Sequence, residues 1–198
     1  MVDTLEVYSI TKNTEVNGPG TRNMVHVQGC TLGCVGCFNT ATWPTKSKKS
    51  YTVDIADLAE QLLVDNIDGV TISGGEPLQQ AEATIHLIRL ILTREPDTSV
   101  LLYTGYSKAE VSDAGYLEVL TDLVDIIVFG RFEKDKIIPQ PHNQLRGSLN
   151  QEVYIRPGVT LLPTRSTNLE FHIEPGKVEI TGFPSKDLIR LTRKELGV

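Results

Sequence analysis

Three cysteines, Cys30, Cys34 and Cys37, fall within eight residues and are the only cysteines in a chain of 198. Thiolates are soft ligands suited to iron–sulfur clusters, zinc or cuprous copper, and closed structural sites use four protein ligands. The C-x3-C-x2-C spacing supplies three, which leaves one coordination position open. From the residues alone this is a cluster whose open iron binds a substrate, a zinc site completed by a distant His26, His86, His142 or His172, or a set of buried thiols. The loop reads Gly29-Cys30-Thr31-Leu32-Gly33-Cys34-Val35-Gly36-Cys37-Phe38-Asn39, and its glycines permit the positive backbone angles of a chain wrapped round a metal.

A second segment, Ser73-Gly74-Gly75-Glu76-Pro77, follows the β-branched run Val70-Thr71-Ile72. Its glycines let backbone amides and carbonyls reach a small zwitterion, Glu76 offers a carboxylate to a cation, and Pro77 limits the freedom of the loop. An ordinary strand-to-helix turn has the same composition. Val16-Asn17-Gly18-Pro19-Gly20-Thr21-Arg22 precedes the cysteines, with Arg22 suited either to pairing a carboxylate in a site or to a surface ion pair. Arg146-Gly147-Ser148-Leu149-Asn150-Gln151 gathers a guanidinium, a hydroxyl and two amides before a predicted strand start. Trp43 suits core packing or an interface, and Lys46-Ser47-Lys48-Lys49 a solvated loop or an acidic partner.

These segments need elements to position them. Met24 to Val27 reads as a strand feeding the cysteine loop. Val53 to Val64 has apolar residues at helical spacing, with Thr52 as N-cap. Strands at Val70–Ile72, Val100–Tyr103 and Ile126–Phe129 alternate with helical patterns through Ile85–Leu92 and Val111–Leu123. Such alternation predicts an α/β chain with a parallel sheet, whose ligands gather at the carboxyl ends of the strands. After Arg156 the pattern changes to short strands at Val159–Leu162, Leu169–Ile173 and Val178–Thr181, then a terminal helix over Ser185–Leu196. Residues 1–156 therefore read as the core and 157–198 as a small β-rich extension.

A composition 40% hydrophobic and 22% charged is that of a globular protein with one substantial core. The net charge of -6 gives no overall field for nucleic acid or an anionic membrane. The start of the chain lacks a basic signal region, and no apolar run approaches the roughly 20 residues that span a bilayer. A cytoplasmic, reducing setting is expected, in which the three thiols stay free of disulfides.

The cysteine spacing and the GGE-P segment together resemble the radical S-adenosylmethionine superfamily. Asn17 to Arg22 is similar to the (D/N)GPG-x-R segment of its glycyl radical enzyme activases. Thr42-Trp43, Thr104-Gly105-Tyr106, Arg146 to Ser148 and Asn150-Gln151 narrow the likeness to activases of anaerobic ribonucleoside-triphosphate reductase, over roughly residues 5 to 156. Gly36 stands where many superfamily members carry an aromatic residue, and Phe38 follows Cys37, as in those activases. The resemblance implies an incomplete (βα) barrel and one 4Fe-4S cluster on Cys30, Cys34 and Cys37. It implies S-adenosyl-L-methionine contacts from Gly36, Cys37, Phe38, Gly74, Gly75, Glu76, Pro77, Ser148 and Asn150, with Gly75 at the methionine end. It further implies a one-electron donor such as flavodoxin or ferredoxin, and a glycyl radical enzyme, the anaerobic ribonucleotide reductase large subunit, as partner. The stretch beyond Arg156 extends past the end of the short activases. It leaves open a radical enzyme acting on a small molecule or peptide in a pocket completed by residues 157–198, and from another class a zinc-binding interaction module.

Overall fold

The computed structural model describes residues 2–139, 145–164, 169–174, 177–182 and 190–191. In chain order the elements are β1 (Thr4–Thr14), β2 (Arg22–Val27), β3 (Tyr51–Asp54), α1 (Ile55–Leu62), β4 (Gly69–Gly74), α2 (Ala81–Arg94), β5 (Ser99–Thr104), α3 (Lys108–Asp113), α4 (Leu117–Leu123), β6 (Ile126–Phe129), β7 (Glu152–Ile155), β8 (Leu169–Glu174) and β9 (Lys177–Gly182). One sheet has the order β3-β1-β2-β4-β5-β6-β7, and β8 and β9 form a separate antiparallel pair. Strands β2, β4, β5 and β6 are parallel, joined through helices. The flanks β1, β3 and β7 are antiparallel to their neighbours. Among the described residues β3 and β7 are the edges of this sheet, which does not close on itself, as an incomplete barrel requires.

Both faces of the parallel strands are covered, which is why they read as continuous apolar runs. On one face Val25, Val70, Ile72, Val100, Leu102 and Ile127 pack with Leu58, Leu62, Leu87, Ile88, Ile91 and Leu120 of the helices. On the other, Leu101, Ile126 and Val128 meet Tyr103, Leu145, Val153 and Leu161. No helix among the described residues is long and apolar enough to cross a membrane.

Several local expectations are corrected. Helix α1 is capped by Asp54 rather than Thr52: Asp54 Oδ1 accepts from the amides of Ala56 (2.7 Å) and Asp57 (3.4 Å). Thr52 is instead in β3, paired with Glu6 of β1. The helix expected over Val111–Leu123 is two, because Gly115 at φ 81° ends α3. Val159–Leu162 forms no strand, and Leu161 packs on the inner sheet face as part of a covering segment. The strands expected at Leu169–Ile173 and Val178–Thr181 form β8 and β9. Of the helix expected over Ser185–Leu196, Arg190 and Leu191 are helical and the rest lies outside the described residues.

Arg22 is fully buried at the start of β2, at the end of the sheet opposite the cysteine loop. Its guanidinium donates to Thr71 Oγ1 (2.8 Å), Val70 O (2.8 Å), Ser99 O (2.8 Å) and Pro19 O (3.1 Å). It therefore clamps the Gly-Pro-Gly turn to the starts of β4 and β5, and burial pushes its pKa down to about 10. Neither role weighed from the sequence fits this position. Arg22→Met is expected to lower stability by about 3 kcal/mol or more, because several buried carbonyls lose a charged donor. Urea denaturation of the apo-protein reads this, and a loss under about 1 kcal/mol would contradict the clamp.

Candidate active site

All four parallel strands end on the same side, and the loops that follow them meet there. Gly75 N–H donates to Val27 O (2.8 Å), Glu76 N–H to Gly29 O (2.8 Å), Gly29 N–H to Thr42 O (2.8 Å) and Cys30 N–H to Trp43 O (2.9 Å). The cysteine loop and the Ser73–Pro77 turn are thus one hydrogen-bonded unit. A Cβ on Gly75 would collide with the Gly29 carbonyl, so its missing side chain is what lets the turn approach the backbone just before Cys30. Gly36 adopts φ 85°, a left-handed turn between Cys34 and Cys37. Cys37 N–H donates to Cys34 O (3.1 Å), and Asn39 N–H points at Cys37 Sγ (3.4 Å).

Glu76 is 1% exposed and turned inward. Its Oε1 accepts from Thr104 Oγ1 (2.8 Å) and Leu78 N (2.9 Å), and Oε2 from Gly105 N (2.7 Å). The carboxylate therefore fastens the β4 turn to the β5 turn. Burial pushes its pKa up, against the pull of these donors. Pro77, also buried, opens the short helical turn after it, while Gly74 at φ 110° lies against the His26–Val27 backbone. Glu76→Ala is expected to cost at least about 3 kcal/mol, since two amides and a hydroxyl lose a shared acceptor. Chemical denaturation of the apo-protein checks this, and unchanged stability would refute the tie.

The three thiols are partly buried and unpaired with one another. Burial pushes the Cys30 and Cys34 pKa values up, and for Cys34 the Phe132 amide and Arg131 pull the other way. A bound metal would deprotonate them. Among the described residues, no three His, Cys, Asp or Glu side chains form a group able to hold a metal ion. A cluster makes a different demand, since each thiolate meets its own iron. His86 bonds the Val2 carbonyl and His172 lies 3.4 Å from Glu170, each engaged elsewhere; His26 on β2 reaches Ser9, and His142 is outside the described residues.

The loop after β6 brings in residues that the sequence reading missed. Phe132 packs against Phe38, ring centroids 5.2 Å apart and tilted 55°. Arg131 lies 5.8 Å from the centroid of Tyr106 and makes two hydrogen bonds to Glu110 (2.8 and 2.9 Å), which hold the Glu110 carboxyl down at about 2. Gln79 bonds Thr31 Oγ1 (2.7 Å) and Tyr106 Oη (3.2 Å), linking three loops. The one available signal was Gly130, at the carboxyl end of a predicted strand.

The Arg146–Gln151 segment is largely tied to itself and to that loop. Arg146 donates to the carbonyls of Leu149 and Gln151, and Gln151 bonds the Gly147 amide and the Gly130 carbonyl. Ser148 is fully buried, its Oγ accepting from the Glu133 amide (3.2 Å). Asn150 Nδ2 donates to Arg131 O (2.8 Å), which leaves its buried Oδ1 without a partner. Three thiols beside amide donors and an orphaned acceptor one loop away fit a three-thiolate cluster and a bound polar cofactor. A cleft of about 700 Å³ against Pro19, Leu145, Arg146, Val153 and Leu161 lies under the covering segment, and its lining includes neither the cysteines nor Ser148 or Asn150.

A family model for a 4Fe-4S single cluster domain matches residues 16–154. The anaerobic ribonucleoside-triphosphate reductase-activating protein of Vibrio cholerae is 35% identical over 147 residues, covering 70% of this chain and 90% of the relative. Proteins of the same name from Enterobacteria phage T4 (36% over 143 residues, 86% of its length) and Escherichia coli K12 (35% over 147 residues, 91%) align with the same 70% of the chain. The matched region holds the cysteine loop, the Ser73–Pro77 turn and the loops after β5 and β6, and the chain accordingly belongs to the radical S-adenosylmethionine activase family that includes these anaerobic reductase-activating proteins.

Proposed function

We propose that this chain activates an anaerobic ribonucleoside-triphosphate reductase by removing a hydrogen atom from a glycine Cα of that enzyme. The observation that carries the reading is the direct hydrogen bonding of the three-cysteine loop to the Gly74–Pro77 turn, with the β5 and β6 loops against both. When bound, a cluster on Cys30, Cys34 and Cys37 supplies one electron to S-adenosyl-L-methionine, whose cleavage to methionine yields a 5'-deoxyadenosyl radical able to abstract hydrogen.

The chain's own residues then hold and orient. Gly36, Cys37 and Phe38 line the adenosyl side, with Phe132 behind Phe38, and Gly74, Gly75 and Pro77 the methionine side. Asn150 offers Oδ1 to a ribose hydroxyl or an amine. Glu76 and Ser148 serve the cofactor indirectly, by fixing the loops that touch it. A glycine Cα radical is favoured because nitrogen and carbonyl both delocalise the spin, and an open sheet leaves room for a polypeptide loop. The chain has no Arg-Val-x-Gly-Tyr-like segment of its own, so the glycine belongs to a partner. A cytoplasmic setting and a one-electron donor such as flavodoxin or ferredoxin complete the reading.

We place the boundary between core and extension at residues 156 and 157, after the last strand of the main sheet. Three hydrogen bonds of the extension, Glu170 with the Glu15 amide, Thr181 with Asn17 and Pro163 with the Gly20 amide, lie at the end of the sheet opposite the cysteines. Leu161, Leu162, Pro163 and Thr164 of the extension line the cleft of about 700 Å³, but that lining includes none of the cysteines and none of Ser73–Pro77, which disfavours a small-molecule pocket completed by that segment as the site of the radical chemistry. Anaerobic incubation of the reconstituted, reduced chain with S-adenosyl-L-methionine and the reductase is expected to give a glycyl radical doublet by electron paramagnetic resonance. Cleavage of the cofactor with no radical on the reductase would overturn the proposed substrate.

A further inference from the structure

Lys46, Lys48 and Lys49 are the only charged side chains between Asn23 and Val53, apart from His26 if protonated. They give this stretch a charge of +3 in a chain of -6, so the remaining residues carry a net -9. All three lysines are exposed. Their backbone is fixed by a compact turn: Ser47 N–H donates to Ser50 Oγ (2.8 Å), Ser50 N–H to Ser47 Oγ (3.1 Å), and Lys49 N–H to Ser47 Oγ (3.3 Å).

That turn is anchored to the cysteine loop. Gln28 donates to the Pro44 carbonyl and receives the Ser47 hydroxyl (3.4 Å), and the Trp43 carbonyl accepts the Cys30 amide (2.9 Å). Lys46 is three residues from Trp43, so their Cα atoms are at most about 11 Å apart. A compact basic patch on an acidic surface, fastened to the backbone that carries the cysteines, steers a negatively charged protein to that place and repels it elsewhere.

We propose that the Lys46–Lys49 turn is the docking site of an acidic one-electron carrier protein. The inference rests on the radical activase reading, in which each cofactor cleavage consumes one electron. The reduced carrier is oxidised by one electron and the cluster held by this chain is reduced by one, with no bond made or broken in that transfer. A lone charge run is more often a solvated face. The anchoring to Gln28, Trp43 and Cys30 and the reversed local charge distinguish this one.

The test compares two reductants on the reconstituted full chain, with reduced flavodoxin as the carrier probe and dithionite as the small one. The triple variant Lys46→Glu, Lys48→Glu, Lys49→Glu is expected to lose about tenfold or more in flavodoxin-driven 5'-deoxyadenosine formation. Its dithionite-driven rate should stay within about twofold of wild type, and the wild-type flavodoxin rate should fall as salt is raised. Undiminished flavodoxin-driven cleavage by the variant would overturn the docking site alone. Equal losses with both reductants would place the lysines in the integrity of the cysteine loop instead. Loss of polynucleotide binding with flavodoxin-driven turnover retained would assign the turn to nucleic acid. No cleavage by the wild-type chain with dithionite would overturn the activase reading itself, and this inference with it.

Discussion

Cys34→Ala is expected to yield a folded chain that retains no stable four-iron cluster and cleaves S-adenosyl-L-methionine on the order of a thousandfold more slowly than wild type, if at all. The three cysteines are the only ones in the sequence, so no spare thiolate replaces the lost ligand. Cys34 is central to the arrangement: its carbonyl holds the Cys37 amide, and its thiol faces the Phe132 amide and Arg131 from the β6 loop. Its side chain takes no part in the hydrophobic core, so the fold should survive. Iron and acid-labile sulfide content, with circular dichroism as the control for folding, separate these effects. Wild-type iron content and turnover in the variant would remove Cys34 from the ligand set.

Gly75→Val carries the second large effect, and here the structure changes what the sequence suggests. Read as a motif, the turn meets only the cofactor, so a side chain at Gly75 should weaken cofactor binding and leave cluster content normal. In the fold, a Cβ at Gly75 would overlap the Gly29 carbonyl, with Gly29 C at 2.8 Å and Thr42 O at 3.0 Å. Those atoms are backbone, held in turn by the Gly29 amide to Thr42 O and the Cys30 amide to Trp43 O, so relief requires moving the cysteine loop. The expected result is a joint loss: stability down by about 3 kcal/mol, cluster loading well below wild type, and cofactor binding reduced with it. Iron quantification beside a cofactor-binding titration decides. Full cluster loading with weakened cofactor binding alone would restore the simpler reading of the turn.

How far the sequence could be read depended on whether the information was local. The cysteine triplet and the Ser73–Pro77 turn were legible because ligand count and glycine placement are written in consecutive residues. The parallel strands were legible because both their faces are buried, leaving runs such as Val100-Leu101-Leu102 with little polar interruption. Strand β1 mixes buried Leu5 and Val7 with exposed or half-buried polar residues, and its pairing with β2 and β3 is set by partners rather than by its own pattern. The apolar run Val159–Leu162 has strand composition but no strand partner among the described residues, lying between the turn at Pro157-Gly158 and Pro163.

Side-chain direction was the least accessible. Glu76 was picked out by type, yet the donors its carboxylate accepts from, Thr104 Oγ1 and the Gly105 amide, are nearly thirty residues away at the end of a neighbouring strand, and only the β4–β5 register brings them together. Arg22 gave no sign of burial, because the donors' partners are carbonyls of two other strands rather than a recognisable carboxylate. Arg131 and Phe132 are unremarkable in the sequence and become part of the site because β6 ends beside β5, against the cysteine loop.

The central claim is that a radical formed at this site takes hydrogen from a glycine of the partner enzyme. The most direct measurement is anaerobic turnover with unlabelled S-adenosyl-L-methionine and a reductase labelled with α-deuterated glycine, followed by mass spectrometry of the 5'-deoxyadenosine. Deuterium in the 5'-deoxyadenosine, lost in the Cys34→Ala variant, is the predicted result. Unlabelled 5'-deoxyadenosine formed at full rate in the presence of the labelled reductase would contradict it.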